Sequence, residues 1–162
     1  MIVVSDTSPI TNLAAIGHLN LLGRLFVSIT IPDAVCRELT ALPPGSPGAV
    51  DPSGLDWMTV KSVADGALVA SLSLSLDDGE AEAIALAREM KSDLVLVDER
   101  RGRRAAERLG LKPLGLAGIL LLAKRKGAIS ALKPLLDSLV GTAGFWISRE
   151  LYARIIAEAG ES

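Results

Sequence analysis

Leu94-Val95-Leu96-Val97-Asp98 is a run of four aliphatic residues closed by a carboxylate, and Ile2-Val3-Val4-Ser5-Asp6 repeats the pattern near the start of the 162-residue chain. Runs this short and this uniformly apolar suit strands buried on both faces, as in a parallel sheet covered by helices. Helical periodicity follows each of them. Ile10, Leu13, Ile16, Leu19 and Leu22 form a stripe broken around Gly17 and Gly23, and Pro32-Asp33 opens a helix carrying Val35, Leu39 and Leu42. Asp77 to Met90 is a helix rich in Ala, Glu and Leu, and Arg100 to Leu109 is a basic one. Val27–Ile31, Trp57–Val63 and Pro113–Leu116 read as further strands, while Ala67–Leu76 fits either strand or helix. Residues 43–54 are dense in Pro and Gly and form a loop. Short apolar strands alternating with helices predict an α/β fold with a mainly parallel sheet. Ala117–Arg125, Leu132–Leu139 and Arg149–Ala159 add helices. The expectation is one domain over residues 1–162, with 128–162 as a C-terminal helical extension.

Composition removes several classes of function. Seventeen Lys+Arg against 19 Asp+Glu leave a net charge of −2, which excludes a binder that relies on bulk positive charge. Cys36 is the only cysteine and His18 the only histidine, so neither an internal disulfide nor a His/Cys zinc site can form. A metal in this chain has to be held by oxygen. Mean hydropathy is +0.40, yet the uncharged stretch from Pro113 to Ala123 falls short of the roughly 18 residues a membrane span requires. With no basic-then-apolar leader in view, a reducing, cytoplasmic location is expected.

Four acids stand out by position. Asp6 and Asp98 project from the carboxyl ends of predicted central strands, where open α/β sheets bind ligands. Both could equally cap the helices that follow. Glu38 shares a helical stripe with Val35, Leu39 and Leu42, so it faces the protein body while Arg37 points away. At about 100° per residue Glu80 falls on the arc of Ile84 and Ala87, whereas Glu82 and Glu89 fall on the solvent side. Asp77-Asp78-Gly79-Glu80 also has the form of a capping box. Inward acids repel one another unless a cation lies between them, and no Lys or His occupies a matching inward position. Mg2+ or Mn2+ is the natural occupant of such an oxygen cluster. Phosphodiester hydrolysis is the chemistry that most often uses it.

Taken in order, Val3-Val4-Ser5-Asp6-Thr7-Ser8, Ile31-Pro32-Asp33 with Glu38-Leu39, Asp77-Asp78-Gly79-Glu80-Ala81-Glu82-Ala83-Ile84 and Leu96-Val97-Asp98-Glu99-Arg100-Arg101 resemble a PIN domain, most closely its VapC-like prokaryotic branch. The resemblance implies a three-layer α/β/α fold and an Mg2+- or Mn2+-dependent ribonuclease. It also implies the toxin role of many members, with a small antitoxin as partner and assembly into homodimers or higher oligomers. Asp6, Glu38, Glu80 and Asp98 match the four family acids, and Thr7 and Ser8 match hydroxyl positions beside the first. Two departures are visible: Glu80 replaces the usual aspartate, and Leu96-Val97 stand where Thr or Ser often precedes the fourth acid.

Arg100, Arg104 and Arg108 recur every fourth residue and could grip RNA phosphates, or form a solvated face with Glu107. Five aromatic residues argue against a base-stacking platform. Trp146, Ile147, Leu151, Tyr152, Ile155 and Ile156 either dock on the domain or form an oligomer or antitoxin surface. A dehalogenase-type phosphatase would need Asp at position 8, a receiver domain needs a lysine after a late strand, and no Gly-rich phosphate loop is present. The remaining rival is a PIN-like module that binds RNA or a protein partner without catalysis.

Overall fold

Val3–Ser5 (β1) occupies the middle of a five-stranded parallel sheet of order β3-β2-β1-β4-β5, in a computed structural model that describes residues 1–162. Ile29–Ile31 (β2) lies beside β1 with Thr30 opposite Val4, and Met58–Val60 (β3) follows it outward. On the other side Leu94–Leu96 (β4) runs alongside β1 from the Val3–Leu94 pair to the Ser5–Leu96 pair, and Pro113–Leu114 (β5) forms the edge. The chain therefore steps outward from β1 in one direction, crosses back, and steps outward in the other. The point of reversal lies between β1 and β4, whose carboxyl ends open onto a crevice.

Each crossover is helical. Thr7–Ala15 (α1) and Asn20–Phe26 (α2) join β1 to β2, and Asp33–Ala41 (α3) leads towards β3 through a short 3-10 turn at Pro52–Gly54. Gly66–Leu72 (α4) and Asp78–Met90 (α5) return the chain to β4, and Arg100–Arg108 (α6) leads to β5. Leu116–Arg125 (α7), Lys133–Gly141 (α8) and Arg149–Glu158 (α9) complete it. The architecture is the expected α/β/α arrangement around a parallel sheet.

Several local expectations shift. Ala67–Leu76 is helical in its first part: the Asp65 carboxylate accepts the Leu68 N–H at 3.0 Å and caps α4. Gly17 breaks the first stripe with φ +74°, but Gly23 stays inside α2. A Cβ at Gly23 would stand 2.8 Å from the Trp57 ring, so close packing explains that glycine. β3 begins only at Met58, after Trp57 has turned onto α2.

Strand alternation divides the core. Val3, Ile29, Ile31 and Leu96 face a layer built from α1, α2, α3, α7, α8 and α9, where Leu13, Leu22, Val35, Ile119, Leu136 and Ile156 are buried. Val4, Val95 and Val97 face α5 and α6, against Ile84, Ala87 and Ala106. Ile155 and Ile156 of α9 thus share a core with α1 and α2.

Val27 ends α2 at φ +67° and ψ −49°, and the Ser28 N–H donates to the Phe26 carbonyl at 2.7 Å, closing a γ-turn around it. This conformation is strained, most of all for a β-branched residue. The side chain is 80% exposed, so its removal forfeits little packing. Val27→Gly is expected to stabilise the protein by about 1 kcal/mol, a rise of roughly 2–4 °C in Tm, checked by thermal unfolding.

Candidate active site

Asp6 follows β1 directly, and its backbone N–H donates to the Leu96 carbonyl at 2.9 Å, which ties it to the end of β4. Two residues beyond Val4, it lies on the α5 side of the sheet. It occupies the N-cap position of α1 but makes no capping hydrogen bond, so the capping role weighed from sequence is not taken up. Only 5% of it is exposed. Burial pushes its carboxyl up to about 7, with the charges of Asp77, Glu38 and Glu99 adding to the rise and the Thr7 N–H opposing it.

Glu38 reaches the same region from α3. It is half-buried and accepts a hydrogen bond from the Thr7 hydroxyl. Thr7 therefore holds the second acid while its own backbone leaves the first. Gly79 makes room for this approach, because a Cβ there would stand 2.7 Å from Glu38 Oε2.

Glu80 performs both roles read from its position. The Asp77 carboxylate accepts the Glu80 N–H at 2.8 Å, and Glu80 Oε1 accepts the Asp77 N–H at 3.3 Å, so the capping box forms. Glu80 Oε2 is buried and has no hydrogen-bond partner. The carboxyl is raised to about 8, first by burial, then by the Asp77 and Asp6 charges. A neutral cap explains one oxygen; the other is buried without a donor, in the field of Asp77 and Asp6. Gly102 of α6 lies against it, where a Cβ would stand 2.9 Å from Oε2.

Asp98 is placed differently. Two residues beyond Leu96, it turns to the opposite face of the sheet from Val97. Its Oδ1 accepts the Leu116 N–H at 3.1 Å, satisfying a free donor at the start of α7. Burial raises its carboxyl, while the Leu116 N–H and the Arg103 charge hold it down. Asp98 thus caps a helix, but α7 rather than the α6 that follows it. Asp6, Glu38 and Glu80 are brought into one electrostatic field, and Asp98 stands at the same sheet edge, turned away from them. As the side chains stand, no three acids are gathered to ligating distance.

Beyond Asp98 a cleft of about 710 Å³ opens, lined by Ser8 and Asn12 of α1, Arg100 and Arg103 of α6, and Phe145 to Ser148. Asn12 donates to the Ser8 hydroxyl at 3.1 Å, so Ser8 belongs to this cleft and Thr7 to the acids. Arg103 donates to the Asp98 carbonyl. Arg104 and Arg108 are exposed outside the cleft, and no α6 arginine forms an ion pair with Glu107 or any other acid. Four arginines in the first five residues of α6 oppose its dipole, and of these Arg103 alone is engaged, at the Asp98 carbonyl.

Sequence reasoning missed Asn12 and Arg103 as cleft residues and Asp77 and Glu99 as contributors of charge. Arg103 was legible as one of a cluster, but its direction depends on where α6 starts. Glu82 is a correction: placed on the solvent arc, it accepts the Ala34 N–H at 3.1 Å and lies 3.7 Å from the Arg37 guanidinium, capping α3. The packing of α3 on α5 claims that arc. At the C-terminal end Ile147, Tyr152, Ile155 and Ile156 dock on the core, while Trp146 and Leu151 stay exposed.

A family model described as a PIN domain matches residues 2–161. No curated protein matches the chain. No helix is long and apolar enough to cross a membrane.

Proposed function

Since the chain belongs to the PIN-domain family, whose fold is of nuclease type, we propose that it is a metal-dependent endoribonuclease hydrolysing RNA phosphodiester bonds. Asp6, Glu38, Glu80 and Asp98 are the proposed ligands of Mg2+ or Mn2+. The observation that carries the reading is the buried, unpartnered Oε2 of Glu80 in the field of Asp6. A group so placed wants a cation. The donors on offer are oxygens alone, which suits a hard divalent ion. Gly79 and Gly102 keep the walls free of side chains.

Such an ion, once bound, neutralises charge on the reacting phosphate and lowers the pKa of an attacking water. The chain's own residues do the positioning. Thr7 fixes Glu38, and the Asp77 box fixes one oxygen of Glu80 and leaves the other free. Asp98, now hydrogen-bonded at the head of α7, would complete the set. Arg100 and Arg103 hold the phosphates that flank the scissile one, with Arg104 and Arg108 extending the contact along α6. Hydrolysis by water leaves a 5′-phosphate and a 3′-hydroxyl.

The wider reading is the toxin of a toxin–antitoxin pair, VapC-like, acting in the cytoplasm as a homodimer or higher oligomer and restrained by a small antitoxin. Its unit is a single domain over residues 1–162, with 128–162 as a helical extension.

Calorimetric titration with Mn2+ tests the centre without knowing the RNA. Saturable binding by the wild type, lost in Asp6→Asn and Glu80→Gln, is the expected result. A folded wild type that binds no Mn2+ would reject the metal centre and favour the non-catalytic module, a reading helped by the capping role of Asp98. Cleavage products ending in a 2′,3′-cyclic phosphate would reject attack by water.

A further inference from the structure

Trp146 is 82% exposed although its neighbours are not. Gly144 turns the chain at φ +74°, and the Phe145 N–H then donates to the Leu139 carbonyl at 2.9 Å. Phe145 and Ile147 pack against the core, so the residue between them is driven outward by simple alternation. On the far side Ser148 accepts the Leu151 N–H at 3.1 Å and starts α9. The indole is held on a segment anchored before and after it, and it lines the same cleft as Arg100, Arg103 and Asp98.

We propose that Trp146 stacks against an unpaired nucleobase of the RNA strand whose neighbouring phosphates are held by Arg100 and Arg103. The proposal rests on the nuclease reading and extends it by giving the strand its path, from the acids across α6 to the C-terminal extension. Guanidinium groups free of ion pairs beside an exposed aromatic face match the alternation of charge and flat ring along a single strand. A protein partner would cover the indole equally well, but stacking alone makes the affinity for a strand depend on its bases, and the comparison below reads that dependence. The scarcity of aromatics argues against an extended platform and leaves room for one stacked base.

The test measures binding of a fluorescently labelled single-stranded oligoribonucleotide to the full chain in Ca2+, beside a strand of equal length and charge carrying abasic sites. Trp146→Ala is expected to weaken the intact strand roughly tenfold or more and to leave the abasic strand unchanged, with Trp146→Phe restoring most of the loss. Equal affinity of wild type and Trp146→Ala for the intact strand would overturn the stacking and spare the nuclease reading. An equal loss for both strands would overturn it too, since the residue would then act through structure or charge. If Trp146→Ala instead dissociates an oligomer with strand affinity unchanged, the indole serves a second copy and the proposal fails. A wild type that binds neither strand would overturn this proposal and the nuclease reading together.

Discussion

Asp6→Asn is expected to stabilise the metal-free protein above about pH 7 while removing its Mn2+ binding. Burial lifts the Asp6 carboxyl from 3.8 to about 7. Folding therefore takes up a proton at intermediate pH. The stabilising contribution is whole below the unfolded value, declines as pH rises, and is lost once pH passes the folded value. Above it, the native state carries a buried charge beside Asp77, Glu38 and Glu99. At about 1.4 kcal/mol per pH unit of displacement, the amide recovers up to about 4 kcal/mol. Glu80→Gln should act in the same direction, since its Oε1 can still accept the Asp77 N–H. The measurement is Tm against pH from about 5 to 9 in EDTA, then in Mn2+. The wild-type curve should fall with pH in EDTA and flatten in Mn2+; both variants should be flatter in EDTA and indifferent to the ion. Wild-type stability that does not decline across this range would remove the electrostatic case for a cation.

Gly102→Ala is the second large effect. A Cβ at this position would stand 2.5 Å from Val97 Cγ1 as well as 2.9 Å from Glu80 Oε2. Val97 is buried between β4 and the α5–α6 layer and cannot simply rotate away, so α6 has to move. Alanine improves helix propensity by about 1 kcal/mol. Overpacking costs about 1–3 kcal/mol, so a net loss of stability is expected. The displaced helix also carries Arg100 and Arg103, and Glu80 loses the room its free oxygen occupies. Mn2+ affinity should fall more than stability does. Gly110→Ala, at φ +76° with no neighbouring atom in the way, is the control that lowers stability alone.

The sheet was legible because its strands are buried on both faces, and uniform apolar runs such as Leu94–Val97 have few other readings. Strand lengths were less so: Val27 and Trp57 are as apolar as their neighbours, and only the γ-turn at Val27 and the packing of Trp57 on α2 keep them out of the sheet. Glu38 and Glu80 could be read as inward from one helical period. What that period cannot show is that one carboxylate has two oxygens with different tasks, as Glu80 does. Asp98 illustrates a further limit. Its place at a strand end follows from the sequence, but its direction follows from parity with β1, which depends on the pairing of Ser5 with Leu96. Glu82 was misplaced because a helix wheel treats everything outside the apolar stripe as solvent, and α3 fills part of that space.

The hydrogen bond from the Leu116 N–H to Asp98 makes one carboxylate answer to two claimants. A cation that recruits Asp98 competes with that N–H for the charge of the carboxylate, and α7 is packed into the core beneath the cleft. Occupancy of the acids and order at the head of that helix are then thermodynamically linked: each weakens the other by the same factor. The protein would hold a weaker fourth ligand than its residue types alone suggest, and a core helix would register whether the centre is filled.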